Sequence, residues 1–158
     1  MSVYRSMRRN GIVIAAVVLL TVVLAIVGCS SKPDTSSPEA LLESIFTSPR
    51  DDKSSGMTNY QINGSEATIE YNYFPVGISP FDEELGVHLS SKIKDLFEQD
   101  YFDKITIIAK GPFDDGYGNY NWVPLISFEF TREIYDKINW DNFVSQNLVK
   151  ISQNVKFY

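Results

Sequence analysis

The sequence predicts a small α+β domain: an antiparallel sheet of three or four strands with one main amphipathic helix packed on one face. Three observations predict it. Leu85, Leu89, Ile93, Leu96 and Phe97 recur at the spacing of a single helix face. The stretches 67–73, 104–110 and 122–131 alternate, placing Ile69, Tyr71 and Tyr73, then Ile105 and Ile107, then Ile126, Phe128 and Phe130 on common sides. Turn residues separate these stretches: Asn63-Gly64, and the run GPFDDGYGNYN at 111–121. A helix with one apolar stripe and a sheet with one apolar face bury both by packing together.

The N-terminal segment stands apart from that domain. Arg5, Arg8 and Arg9 precede an apolar run at 12–27, broken only by Thr21, and Gly28-Cys29 closes it. A basic start, an apolar middle and a small residue at the end are the parts of an export signal. As a helix the run would span roughly 24 Å at about 1.5 Å per residue, short of a hydrocarbon core of about 30 Å. The arginines favour a cytoplasmic N-terminus. Ile26-Val27-Gly28-Cys29 resembles the lipobox of bacterial lipoproteins. The resemblance implies cleavage between Gly28 and Cys29, a thioether-linked lipid on Cys29, and a chain held to the outer side of the cell membrane by that lipid. A second reading keeps the leader uncleaved, as the single span of a structural subunit in an envelope complex. Both readings put the rest of the chain outside the cytoplasm.

After the signal at 1–28, residues 29–37 read as the lipidated Cys and a polar tether. Residues 38–57 read as a short helix followed by a polar linker. Ser37-Pro38-Glu39 supplies an N-cap, a first-turn Pro and an acid, and Leu41, Leu42, Ile45 and Phe46 form one apolar face. The α+β domain then occupies 58–158. Its first hairpin turns at Asn63-Gly64, and Pro75, Gly77 and Pro80 end the second strand. Asp82-Glu83-Glu84 opens the main helix, with acids where the macrodipole favours them. Glu84 falls off the apolar stripe, His88 lies beside it on the helix surface, and Gly86 costs about 1 kcal/mol relative to Ala. The strand KITIIAK at 104–110 is apolar on both sides and suits a central position. Two short C-terminal helices are expected, at 132–138 and 141–151.

Composition excludes several kinds of chemistry. The formal net charge is −6 over 158 residues, which opposes a nucleic-acid partner. Loss of 1–28, with three Arg and no acid, leaves 11 basic and 20 acidic residues, a charge of −9. One Cys and one His give no disulfide and no multi-His metal site. The acid groups Asp51-Asp52, Asp82-Glu83-Glu84 and Asp114-Asp115 match no metal-loop or glycosidase spacing. A hydrolase centred on Asp114 and Asp115 is a third, weaker reading. The expectation is therefore a protein without catalytic activity, metal or cofactor. Tyr117, Tyr120 and Trp122 are the candidate binding surface, because rigid amphipathic aromatics mark recognition sites. The partner expected is an envelope or surface protein.

Tyr117-Gly118-Asn119, Ser127-Phe128, Arg132-Glu133 and the run from Lys137 to Phe143 resemble small lipoproteins of Gram-positive bacteria. That resemblance covers about the last 80 residues and implies a surface role without a catalytic site.

Overall fold

Ser37 starts the described fold where its side chain predicts: its Oγ accepts a hydrogen bond from the Ala40 N–H at 3.1 Å, and Pro38 takes the first helical position. The computed structural model describes residues 32–50, 54–118 and 120–158, and those from Pro33 onward form one compact unit. Residues 28, 29, 51 and 52 lie outside the described residues, so the signal cleavage, the lipidation of Cys29 and the first acid pair do too.

The order is α1 (Pro38–Ile45), β1 (Gly56–Asn63), β2 (Glu66–Asn72), α2 (Phe81–Phe97), β3 (Lys104–Asp114), β4 (Tyr120–Thr131), α3 (Arg132–Lys137), a 3-10 turn (Ser145–Asn147), α4 (Leu148–Ile151) and β5 (Gln153–Phe157). The fold is α+β, with a larger sheet than the sequence predicts: five strands in the order β1-β2-β3-β4-β5. It is also mixed. β2 and β3 run parallel, and the other pairs are antiparallel. The reason is α2. Its 17 residues cover roughly 25 Å and carry the chain back along the sheet, so β3 begins at the end where β2 began. The fifth strand comes from the tail. A helix at 141–151 does not form there. The chain turns at 139–142, makes one 3-10 turn and one turn of α4, then extends along β4. Asn and Ser compete with the backbone for hydrogen bonds in this stretch and weaken a longer helix.

β3 is the central strand. Ile105, Ile107 and Ala109 are buried on the helix-covered side, beside Ala67, Ile69 and Tyr71 of β2 and Ile126, Phe128 and Phe130 of β4. Against them lie Leu85, Leu89, Ile93, Leu96 and Phe97 of α2, all fully buried, and Leu41, Leu42 and Phe46 from α1 and its end. α1 is thus docked on the core. The chain meets the domain early: the Asp34 N–H donates to Ser44 Oγ at 3.0 Å, and the Tyr101 hydroxyl donates to the Thr35 carbonyl at 2.8 Å.

Gly86 has a use that helix propensity does not show. A Cβ built there would lie 2.7 Å from the Ser145 carbonyl oxygen, so the missing side chain lets the 3-10 turn rest on α2. Ser90, one turn further on, donates to Ser145 Oγ at 2.9 Å. Gly86→Ala would gain about 1 kcal/mol of helix propensity. Overpacking costs about 1–3 kcal/mol, so the helix gain is cancelled or exceeded and a net loss of up to about 2 kcal/mol is expected. Urea denaturation checks it, and a stabilised variant would refute the contact.

Candidate functional site

The two ends of the sheet differ. At one end lie the Asn63-Gly64 turn, the C-terminus of α2, Tyr101 and the first described residues of the chain. At the other lie the loop 73–80 between β2 and α2 and the β3–β4 hairpin tip. Because β2 and β3 are parallel and β3 runs on to Asp114, the loop and the tip are neighbours. The Tyr73 N–H donates to the Lys110 carbonyl at 2.9 Å, and the Phe74 and Trp122 rings meet edge to face at 6.4 Å.

Glu84 organises this end. It is only 8 % exposed, and its carboxylate accepts four backbone N–H groups: Val76 at 2.8 Å, Gly77 at 3.3 Å, Ile78 at 2.7 Å and Ser79 at 2.9 Å. Those donors, Ser79 first, favour the charged form and hold the carboxyl below its ordinary range. The Tyr73 phenol lies near; burial first, and the Glu84 charge second, push it up. The loop so held turns its apolar side chains outward. Val76 is 77 % exposed and Ile78 83 %, with Val87 half exposed beside them. With Tyr73 they line a shallow cavity of about 200 Å³.

The hairpin tip is built by its own side chains. Asp114 Oδ1 accepts the Gly116 N–H and Asp115 Oδ1 the Tyr117 N–H, each at 2.8 Å. Gly116 takes φ 78° without strain. Asp114 and Asp115 therefore serve the turn, and among the described residues no group of three His, Cys, Asp or Glu is placed to hold a metal ion.

The structure describes the side chains of two of the three aromatics singled out in the sequence, Tyr117 and Trp122, and they differ in exposure. Tyr117 stands out at 91 % exposure. Trp122 is half-buried against Phe74. Tyr120 pairs in register with Asp114 as the first residue of β4. The exposed apolar residues Val76 and Ile78 were missed by periodicity, since they lie in a loop flanked by prolines. The usable signal was the acid at Glu84, within reach of loop N–H groups at a helix start.

No protein-family model, curated protein or solved structure matches the chain. The site therefore stands on its geometry alone. Among the described residues no helix is long and apolar enough to cross a membrane.

His88 is not a plain surface residue. Its Nε2 lies 2.6 Å from the Tyr71 hydroxyl, and its ring sits 5.1 Å from that of Tyr73. Burial, then the like charge of Lys92 one turn on, hold the imidazole below its ordinary value. Burial, with a smaller contribution from Tyr73, pushes the Tyr71 phenol up to about 12, so it stays a donor and suits a neutral imidazole acceptor. The unfolded chain therefore binds the His88 proton more tightly than the folded one. The contribution of neutral His88 is fully present above about 6.5 and declines as pH falls from there to the lower folded value. His88→Gln is expected to remove this part of the slope below about pH 6.5 in denaturation curves. An unchanged slope would exclude the assignment.

Proposed function

We propose that this protein is an envelope lipoprotein without catalytic activity, anchored through a lipid on Cys29, whose acidic domain binds a protein partner outside the cytoplasm. The observation that carries the reading is the loop 76–79. A buried carboxylate is spent on holding four loop N–H groups, and the result is two aliphatic side chains fixed in solvent at the far end of the domain. Rigid exposed apolar side chains away from the core are what a docking surface needs. The polarity of the fold supports it as well. Thr35 binds Tyr101 at one end, and the tip lies beyond β2, roughly 20–25 Å away for seven extended residues. The first described residues and the tip thus lie at opposite ends of the sheet.

Two experiments test the two halves. Cells fed a clickable palmitate should label the wild-type chain and leave Cys29→Ala unlabelled; equal label in both would remove the anchor. A photo-cross-linker at position 78, used in intact cells, should yield a protein adduct, and one at exposed Asp136, away from the tip, should not. Absence of any adduct at 78 would remove the docking surface.

A further inference from the structure

The chemistry of the partner can be read from the same tip, an inference that rests on the docking reading above. The apolar patch of Val76, Ile78 and Val87 surrounds one cavity of about 200 Å³, room for a single aliphatic or aromatic side chain. The Glu84 clamp keeps these side chains from folding inward. The two stretches that form the loop with its following helix and the hairpin tip carry charge of one sign. Asp82 follows the loop, Asp114 and Asp115 edge the hairpin, and the stretches 74–91 and 111–122 contain no Lys or Arg. Among the described residues, Lys150 is bound to Glu83 at 2.9 Å, and Lys110, whose carbonyl accepts the Tyr73 N–H, is paired with Glu70.

We infer that the tip binds a protein segment presenting an apolar side chain flanked by Lys or Arg. The apolar group fills the cavity between Val76, Ile78 and Val87. The flanking cations meet the field of Asp82 and Asp114, which also speeds encounter. Charge argues against two other occupants of the patch. An anionic bilayer and a second copy of this chain, at −9 once residues 1–28 are lost, would each bring negative charge onto the carboxylates.

The test uses the full chain in nanodiscs of zwitterionic lipid and fluorescent extended peptides with a Lys-Leu-Lys centre. Binding is expected to fall about tenfold or more in the Val76→Ser/Ile78→Ser variant, whose changes are at exposed positions and leave the core intact. A similar loss is expected for peptides with Lys-Ser-Lys or Glu-Leu-Glu centres, and a graded loss as salt rises. Equal binding by the variant, equal binding of the Glu-Leu-Glu peptide, or no binding of either peptide would overturn the inference. So would Val76- and Ile78-dependent binding to phosphatidylglycerol vesicles, or tip-dependent dimerisation. If position 78 captures a protein in cells through a contact peptide lacking Lys and Arg, the docking surface stands and this inference alone falls.

Discussion

Arg132→Ala is expected to lower the unfolding free energy by about 2–4 kcal/mol, because three carbonyls at the end of α2 lose one charged donor. The Arg132 guanidinium donates to the Phe97 carbonyl, to Gln99 at 2.9 Å and to Phe102 at 3.2 Å. These are groups that a helix end and the turn after it leave without partners. Cationic charge at a helix C-terminus also complements the macrodipole. The same guanidinium lies over the Phe97 ring at 5.0 Å and the Tyr135 ring at 5.3 Å. It therefore ties α2, the turn to β3 and α3 together at the end where the chain joins the domain. Lys in its place is a point charge on a flexible stem and cannot fork to three acceptors, so Arg132→Lys should recover only part of the loss. Urea denaturation of the three proteins checks the order wild type, Lys, Ala. A change below about 0.5 kcal/mol for Ala would show the clamp to be a surface contact of no consequence.

Glu84→Ala is expected to have the largest effect on the tip. Amide exchange at Val76, Gly77, Ile78 and Ser79 should accelerate to open-loop rates, while the core strands keep their protection. Any binding through Val76 and Ile78 should weaken, since the partner would then have to order the loop. Glu84→Gln should fall between the two. Its single carbonyl oxygen can accept, but its NH₂ faces further donors. The wild type carries its own control in pH. Loop N–H groups hold the Glu84 carboxyl below its ordinary value of 4.5, so the folded state binds its proton less tightly than the unfolded chain. The stabilisation is present above that ordinary value and is lost as pH falls through the folded one. Protection at 76–79, taken relative to the intrinsic exchange rate at each pH, should therefore fall at acidic pH in the wild type and stay low throughout in Glu84→Ala. Unchanged exchange in Glu84→Ala would show that Pro75 and Pro80 hold the loop instead.

Periodic elements were legible before any coordinates. The stripe from Leu85 to Phe97, the strand pair around Ile107 and Phe128, and the Ser37-Pro38 start each carry their signal within one turn or one alternation, and each lies where it was expected. The tail was not legible. In 141–158 the apolar residues Phe143, Leu148, Val149 and Ile151 fit a helix, and only pairing with β4 makes Gln153–Phe157 a strand. Glu84 was misplaced for a related reason. Off the apolar stripe it reads as a solvent-facing acid, and only the path of 76–79 supplies the N–H groups that bury it. His88 likewise gains its partner from Tyr71, seventeen residues away. Of the aromatics at 117–122, Tyr117 is exposed at the tip, whereas Trp122 meets Phe74, a partner far away in the chain that no local pattern reveals.

By itself, then, the sequence determined the α+β class, the main helix and central strand, the acidic charge and the resemblance to a lipobox at Cys29, all of which are written in local pattern and composition. Tertiary structure decided the parallel pairing of β2 with β3, the fifth strand, and which end of the domain exposes its aliphatic side chains. Those depend on contacts between residues far apart in the chain, where a backbone N–H or a carbonyl finds its partner only after α2 has crossed the sheet.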